Sequence, residues 1–315
     1  MNTSIFMVLI CFSVVVSAGN AAERYTGPII DMHLHSYTND EYWGPAPNPL
    51  TGQMSPENAD EHRRQCLALI KKHNIVLAEV DGSSPKALDA WKEALGEGII
   101  RGFRFDNPAK EARPDSFLNW VNRGEIELLG EIGSTYAGLS PSDTSFDPYW
   151  EICQKFDIPV GIHTGGSFPG IHLQIPTFRL RMGDPFLVED ILVKYPRLRL
   201  YLMHAGAHFY ERAAILMVQY PTLYVDIAVL NWVPDANNFL VPFLRRAKEY
   251  KVLDRVMYGS DEMIWPEAIE MAIEKIQSLD MLTLEEKEGI FYRNAARFLG
   301  LSQETISKHH EGQQE

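Results

Sequence analysis

Three polar side chains alternate with apolar ones in a strand-like run, residues 27–40, whose sequence is GPIIDMHLHSYTND. Because successive side chains of a strand point to opposite faces, Asp31, His33 and His35 would share the interior face, whereas Met32 and Leu34 would face covering helices. A rise of about 3.3 Å per residue separates the two histidine backbones by about 6–7 Å, so both imidazoles could reach one ion. A His-x-His pair alone is a weak signal, since paired histidines on strands are more often hydrogen-bonded structural groups.

Four further side chains that could bind a metal lie at or near the ends of other apolar runs. They are Glu131 in GEIG, His163 in GIHTGG, His204 in LMHAGAH and Asp261 in YGSD. Burying so many polar groups costs free energy unless a cation or a hydrogen-bond network satisfies them. Imidazole nitrogens and carboxylate oxygens are suitable zinc ligands, and a catalytic zinc site keeps one position open. The pattern therefore indicates a metal centre assembled from strand ends.

The elements that must position these residues alternate between short β-branched runs and longer segments, most of them with a helical pattern. Eight strands are predicted, at residues 28–35, 75–81, 99–105, 126–133, 159–165, 199–206, 223–229 and 255–261. This alternation is typical of a parallel sheet with helical crossovers, and eight such units in about 270 residues match the size of a (β/α)8 TIM barrel. We predict that α/β fold, with a doubly wound open sheet as the alternative.

Helical patterns cover residues 55–74, 239–251 and 266–279, the first with a Ser/Pro start signal and with Cys66, Leu67 and Ile70 on one face. Residues 283–301 predict a C-terminal helix pair that begins at a Thr cap and ends at Gly300. Two unusual loops, 36–54 and 166–184, follow the first and fifth strands. In a barrel both would lie on the C-terminal face, where active sites are built.

Several side chains in or near these loops are candidates for substrate binding. An arginine can hold an anionic substrate by a bidentate pair, and aromatic rings can line an apolar pocket. Loop arginines are more often surface charges, lone loop histidines are usually solvated, and packing aromatics are common. The candidates are Arg104, Arg179, Arg181 and Trp232, with Tyr42, Trp43, Trp265, His172 and His208 beside them.

Charge and composition narrow the class of partner and the compartment. The net charge of −13 and the absence of a basic run argue against a nucleic-acid partner and favour a small molecule. Residues 3–18 are uncharged and largely apolar and precede the small-residue stretch AGNAAE, which predicts a signal peptide over 1–22 and an exported, periplasmic or secreted body over 23–315. An uncleaved anchor is the alternative, because the segment lacks a Lys or Arg. Once the segment is cleaved, no membrane partner is expected.

Two cysteines, Cys66 and Cys153, remain in the predicted mature chain, while Cys11 lies in the apolar segment. Two cysteines do not make a disulfide framework, so stability must come from the core. No Gly/Ser-rich linker or internal repeat divides residues 23–315, which favours one domain. The oligomeric state is left open, including a homo-oligomer.

The segments around these residues resemble the amidohydrolase superfamily, and in particular the amidohydrolase-related group called amidohydrolase family 2. The resemblance runs through IIDMHLH, PVGIHTGG, LYLMHAGAHFYERAAILMVQYPTLYVDIA and RVMYGSDEMIWP to YRNAARFLGL, so it covers nearly all of residues 23–315. It implies that His33, His35, His163 and Asp261 bind one divalent ion, with zinc expected. Asp261 would also hold and deprotonate a water molecule.

The same resemblance implies roles for two further residues. His204 would steady the substrate carbonyl or move a proton. Glu131 is similar to the bridging carboxylate of TatD-type hydrolases, in which case Glu131 and His204 would bind a second ion. Apart from the resemblance, Asp31 is expected to orient the two histidines of the first strand rather than to bind the ion.

These expectations favour a metal-dependent hydrolase that cleaves an amide, lactone or ester bond in a small anionic molecule. The main alternative is a metal-dependent decarboxylase of the same family, in which His204 would protonate carbon. A TatD-like nuclease is favoured by GEIG but opposed by the acidic charge balance. The non-enzymatic alternative is an exported binding protein, which the intact ligand set opposes.

Overall fold

Eight parallel strands form one sheet in the order β1 to β8, so that each strand pairs with the next one along the chain. The computed structural model describes residues 23–111 and 113–311, and the predicted signal peptide with Cys11 lies outside the described residues. All eight predicted strands are present. Their bounds are β1 Ile29–His35, β2 Ile75–Gly82, β3 Ile99–Phe105, β4 Leu128–Ile132, β5 Val160–His163, β6 Leu200–Met203, β7 Tyr224–Asp226 and β8 Val256–Met257.

Helices follow the strands and cover the outside of the sheet. Their bounds are α1 Ala59–Lys72, α2 Pro85–Leu95, α3 Pro114–Asn122, α4 Ser134–Ala137, α5 Asp147–Phe156, α6 Ile171–Gln174, α7 Glu189–Lys194, α8 Tyr210–Gln219, α9 Pro234–Glu249, α10 Ala268–Gln277, α11 Leu284–Glu288, α12 Asn294–Leu299 and α13 Gln303–Glu311. The predicted C-terminal start and stop are confirmed: Thr283 forms a capping box with Glu286, and Gly300 ends α12 in the left-handed region. The predicted Ser/Pro start of α1 is wrong, because Asn58 caps that helix by accepting a bond from the Glu61 N–H.

The sheet is a nearly closed barrel, which confirms the predicted (β/α)8 fold. Its first strand meets the segment around β8 through two backbone hydrogen bonds, from Met32 N to Tyr258 O (3.1 Å) and from Asp261 N to His33 O (2.8 Å). Sequential pairing from β1 to β8 excludes the doubly wound sheet, in which the strand order reverses. Asp261 does not end β8 as predicted. It lies four residues beyond Met257, held against β1.

An apolar cluster fills the N-terminal end of the barrel interior. It draws side chains from six strands and is covered by the C-terminal helical segment; its buried members are Ile30, Met32, Leu77, Leu128, Tyr201, Met203, Tyr224, Met257, Tyr292, Ala295, Ala296 and Phe298. Phe298 contacts the rings of Tyr201 and Tyr224, with centroids 5.4 and 4.9 Å away. This end of the barrel is therefore closed by hydrophobic packing, which leaves the opposite end for polar groups.

The first strand departs from strict alternation. Met32 was predicted to face the helices but packs in the interior cluster, whereas Leu34 does face the helices. The register of β1 against β2 shifts between Asp31 and Leu34, and the Asp31 carboxylate accepts a hydrogen bond from the His33 N–H (3.1 Å). The irregularity turns Met32 inward below the histidines.

Both cysteines of the described chain are free and buried, as expected without a disulfide framework. Across residues 23–111 and 113–311, none of the helices is long and apolar enough to cross a membrane.

Candidate metal centre

Six predicted metal-binding side chains converge at the C-terminal end of the barrel. We call them the strand-end cluster; its members are His33, His35, Glu131, His163, His204 and Asp261. Four lie within β1, β4 and β5, and His204 follows β6 directly. Their side chains are 15% exposed or less. The structure therefore brings these six residues together at one end of the barrel.

The cluster contains two groups of three side chains, each with one donor atom per residue within 4.8 Å of the others. The first group is His33, His35 and Asp261, with Asp261 Oδ1 3.0 Å from His35 Nε2 and Oδ2 4.0 Å from His33 Nε2. The second group is Glu131, His163 and His204. The structure thus separates His163 from the two histidines of β1, with which the family resemblance grouped it.

Glu131 lies between the two groups. Its Oε1 accepts a hydrogen bond from His163 Nδ1 and lies 3.1 Å from His204 Nε2. Its Oε2 lies 3.8 Å from His35 Nε2 and 4.0 Å from His33 Nε2. One carboxylate therefore faces all four histidines of the cluster, which is the position that a bridging ligand would need.

Two buried aspartates that sequence reasoning did not assign hold the cluster in place. Asp226 Oδ2 lies 3.0 Å from His33 Nδ1, and its Oδ1 accepts a bond from the His204 N–H (2.8 Å). Such carboxylate partners fix the tautomer and orientation of a metal-binding imidazole.

Asp81 does the same for the other half of the cluster. Its Oδ1 lies 2.8 Å from His35 Nδ1, and its Oδ2 accepts a bond from the Glu131 N–H (2.7 Å). Asp81 and Asp226 lie near or at the ends of β2 and β7, in the segments IVLAEVD and LYVDIAV. Asp81 ends the predicted second strand, which was a signal that could have found it, whereas Asp226 falls in the middle of the predicted seventh strand and carried no such signal.

Asp31 was expected to orient the histidines of β1, but its carboxylate contacts backbone N–H groups and not a histidine ring. Its Oδ1 accepts bonds from the N–H groups of His33 (3.1 Å) and Ser260 (3.0 Å). It therefore joins the backbone of β1 to the segment that carries Asp261. Burial raises the pKa of the Asp31 carboxyl to about 7, although bonds from Ser260 and His33 oppose the shift.

The charges of the cluster shift the pKa values of its titratable groups. Burial lowers the pKa of His33, but the negative charges of Asp261, Asp226 and Glu131 outweigh it and raise that pKa to about 10. Burial likewise raises the pKa of Asp261, but the imidazoles of His33, His35 and His204 outweigh it and lower that pKa to about 2. The carboxylates of the site thus favour bound positive charge, either protons or a metal ion.

Two features of the cluster fit a metal ion. His33 Nε2 and His163 Nε2 are buried and have no hydrogen-bond partner among the described residues, which would be costly without a ligand. His204 and Asp261 also have left-handed backbones, with φ of 64° and 44°. Non-glycine residues rarely adopt this conformation, and it clusters at functional sites.

The predicted substrate-binding residues differ in burial and in their distance from the strand-end cluster. Arg104 is next to the cluster: its Nε lies 2.9 Å from Asp81 Oδ1 and its guanidinium lies over the Tyr37 ring, 5.2 Å from the centroid. Arg179 and Arg181 are exposed, and Arg179 donates to the backbone carbonyls of Pro176 and Phe178. Trp232 is buried and donates from Nε1 to Ser260 O (2.8 Å), so it supports the segment before Asp261.

The other loop candidates divide in the same way. Tyr42 is half-buried, and Trp43 is exposed against the ring of buried Trp265. His172 and His208 are exposed. Tyr136 was not anticipated, yet its ring lies 5.0 Å from that of His163, and burial raises the pKa of its phenol. Neutral aromatic side chains therefore form part of the wall beside the cluster.

Two further acids near the cluster were missed. Glu79, on β2, is fully buried, and both of its carboxylate oxygens lack a hydrogen-bond partner in the described chain. Asp106 follows β3. Its burial, together with the charges of Glu111 and Glu131, raises the pKa of its carboxyl to about 7, and Arg104 opposes the shift. Neither acid stood out in the sequence, because a single carboxylate in a predicted strand or loop has no distinguishing pattern.

A family model described as amidohydrolase matches residues 30–301, which include the whole strand-end cluster. The chain belongs to the amidohydrolase family. The resemblance expected from the sequence is thereby confirmed, and this enzyme family has a TIM-barrel fold of the kind described above.

Solved structures similar to this amidohydrolase share its fold at low identity. An uncharacterised TIM-barrel protein from Bordetella bronchiseptica is 16% identical with a TM-score of 0.62, over 87% of this chain and 98% of that one. A probable 2-pyrone-4,6-dicarboxylic acid hydrolase from Acinetobacter baumannii, with citric acid bound, is 13% identical with a TM-score of 0.61, over 87% and 99%. A 5-carboxyvanillate decarboxylase from Novosphingobium aromaticivorans, with manganese and a nitrobenzoic acid bound, is 17% identical with a TM-score of 0.59, over 87% and 96%. A comparison with curated proteins gives no match.

Proposed function

We propose that this amidohydrolase is a metal-dependent hydrolase that cleaves an amide, lactone or ester bond in a small anionic molecule. The position of Glu131 between two groups of donors carries the proposal. His33, His35 and Asp261 would hold one divalent ion, and His163 and His204 a second, with Glu131 shared. Such a pair of ions supplies an acidified water and a polarised carbonyl, and needs no protein nucleophile.

The chain's own residues supply the proton transfers. Of the two carboxylates in the strand-end cluster, Asp261 lies nearer to the histidines of β1, with Oδ1 3.0 Å from His35 Nε2, and the lowered pKa of its carboxyl keeps it ionised. His204, only 3% exposed, contacts Glu131 Oε1 and lies 4.0 Å from Asp261 Oδ2. We assign Asp261 as the base for the attacking water, and His204 as the group that steadies the carbonyl oxygen or passes the proton to the leaving group.

Arg104 would select the anionic substrate. It is the one predicted arginine whose guanidinium lies beside the cluster, and its side chain is 29% exposed. Its contacts with Asp81 and the Tyr37 ring hold it in place without covering it. Arg179 and Arg181 lie on the exposed loop after β5, so we leave them out of the binding site.

The decarboxylase remains the second candidate, and the structural neighbours favour it. Besides the 5-carboxyvanillate decarboxylase with manganese, a 2,6-dihydroxybenzoate decarboxylase from Rhizobium is 14% identical with a TM-score of 0.58, over 87% of this chain and 99% of that one. In this reaction the cluster would hold the substrate carboxylate by way of a bound divalent ion, and His204 would protonate the carbon that loses carbon dioxide. The carbon–carbon bond breaks, its electron pair stays on the substrate carbon, and the proton takes the place of the carboxyl group.

Ion content and product analysis separate the two functions. The protein is purified without added metal, its zinc and manganese are counted per chain, and lactones, esters, amides and aromatic carboxylic acids are supplied in ¹⁸O-labelled water. Two ions and label in the product acid would support the hydrolase. One ion with release of carbon dioxide, and no label in the product, would replace it with the decarboxylase. A protein that turns over none of these but holds its ions would support a binding function.

We also propose that the body is exported, on the strength of the predicted signal peptide alone. Intact mass and N-terminal sequencing of the native protein from its fractionated source would test this. A mature chain that begins after Ala18 or Ala22 in the exported fraction is the expected result. A chain that retains Met1 in the membrane fraction would establish the uncleaved anchor instead.

A further inference from the structure

Another set of side chains that could hold a metal ion lies behind the strand-end cluster, in the contact between α1 and the segment after β8. It consists of His62 and Cys66 of α1 and of Glu262, whose donor atoms lie within 4.8 Å of one another. All three side chains are buried, with exposures of 1%, 0% and 0%. None of them was singled out as a metal ligand in the sequence, where His62 and Cys66 lie in one segment and Glu262 lies about 200 positions further along in another.

Local structure brings the three side chains together. His62 and Cys66 are four residues apart on α1, so they lie on one face of that helix. The imidazole of His62 is hydrogen-bonded to the Met263 backbone, and its Nε2 lies 3.5 Å from Cys66 Sγ and 3.5 Å from Glu262 Oε1. A backbone bond on one side of the ring and donors on the other are typical of a metal-binding histidine.

The spacing of the donor atoms matches a tetrahedral ion. With bonds of about 2.3 Å to sulfur and about 2.0 Å to nitrogen or oxygen, tetrahedral ligands lie about 3.3–3.5 Å apart. Both distances from His62 Nε2 have this length. The second oxygen of Glu262, Oε2, is buried without a hydrogen-bond partner among the described residues, so it is available to complete a fourth bond.

We propose that His62, Cys66 and Glu262 form a separate divalent-cation site that binds a zinc-like ion. The site is closed and includes a thiolate ligand, unlike the strand-end cluster. One sulfur, one nitrogen and up to two carboxylate oxygens suit such an ion, and closed sites of this kind are structural. On binding, Cys66 loses its thiol proton to solvent and the sulfur forms the metal bond.

An ion at this site would stabilise the backbone that carries part of the strand-end cluster. Glu262 follows Asp261 in sequence, and its Oε1 accepts a hydrogen bond from the His35 N–H (3.1 Å). An ion that fixes Glu262 would therefore fix the backbone of a cluster residue from β1 and the segment that carries Asp261. The site does not depend on the reaction catalysed, so it can be tested independently of the proposed function.

Cobalt titration of the full chain, after removal of metals by a chelator, tests this site directly. Co²⁺ bound to a thiolate gives a near-ultraviolet charge-transfer band, which nitrogen and oxygen ligands alone do not give. We expect this band in the wild type and its loss in Cys66→Ser. Cys153→Ser is the matched control, because Cys153 is also free and fully buried but lies in α5. It should keep the band.

Two further variants separate this site from the strand-end cluster and from misfolding. His33→Gln should reduce the ions bound by the cluster and leave the thiolate band intact. His62→Gln should weaken the band while circular dichroism shows a folded barrel. Absence of the band in the saturated wild type, or its persistence in folded Cys66→Ser, would overturn the proposal. In that case the three side chains form only a hydrogen-bonded group.

Discussion

The two ends of the barrel interior differ in chemistry although the same strands build both. At the N-terminal end, residues such as Tyr201, Met257 and Phe298 pack into a buried apolar cluster. At the C-terminal end, four histidines and two carboxylates face one another with little exposure to solvent. Burial of apolar surface stabilises the fold, whereas burial of polar groups costs free energy unless they are paired or bind a metal. One end therefore holds the barrel together, and the other supplies the chemistry.

Replacement of Asp261 by Asn should have the largest effect. The variant loses the proposed base, so turnover should fall by about 10²- to 10⁴-fold, the range for general acid–base groups. Thermal unfolding should show that the barrel persists, because the substitution removes no apolar contact. Turnover at the wild-type rate would contradict the assignment of chemistry to this end.

Phe298→Ala should show the opposite pattern. The side chain is 4% exposed and packs against Tyr201 and Tyr224, so its loss should cost about 3–5 kcal/mol of unfolding free energy. Denaturant titration measures this cost, with Phe298→Leu as a milder control. The turnover of the folded fraction should not change. A fall in turnover without a loss of stability would contradict the assignment of stability to the N-terminal end and chemistry to the C-terminal end.

Asp226→Asn should produce an intermediate effect at the polar end. Asn keeps the size of the side chain but removes the negative charge that orients His33, so metal affinity should fall by about 10- to 100-fold. Competition with a metal indicator measures the affinity, and Asp81→Asn is the matched variant for His35. Unchanged affinity in both variants would mean that these carboxylates do not support ion binding.

Asp106→Asn should have the smallest effect. It should increase the free energy of unfolding, whereas Phe298→Ala should decrease it. Burial raises the pKa of Asp106 from 3.8 to about 7, so the folded state binds this proton more tightly than the unfolded chain. Stability therefore falls as pH rises from 3.8 to about 7. The Asn variant lacks this loss and should gain stability over the wild type across that window. Thermal midpoints that stay parallel from pH 4 to 8 would contradict it.

Sequence patterns by themselves determined the barrel and most of the cluster. Eight β-branched runs separated by amphipathic segments predict parallel βα units, because side-chain periodicity reports which faces are buried. His33, His35, His163 and His204 stood out together, because several imidazoles at the ends of apolar runs are costly to bury without a cation or a hydrogen-bond network. Glu131 and Asp261 gained their weight from the same position and from the family resemblance.

Tertiary structure alone decided which of these residues face one another. The grouping of His163 with Glu131 and His204, the roles of Asp81 and Asp226, and the inward turn of Met32 depend on strand register and on a β1 irregularity. His62, Cys66 and Glu262 meet only because α1 packs beside the segment after β8. Periodicity fixes the face of a residue within its own element. Distances between side chains of different elements depend on how those elements pack, which no local pattern encodes.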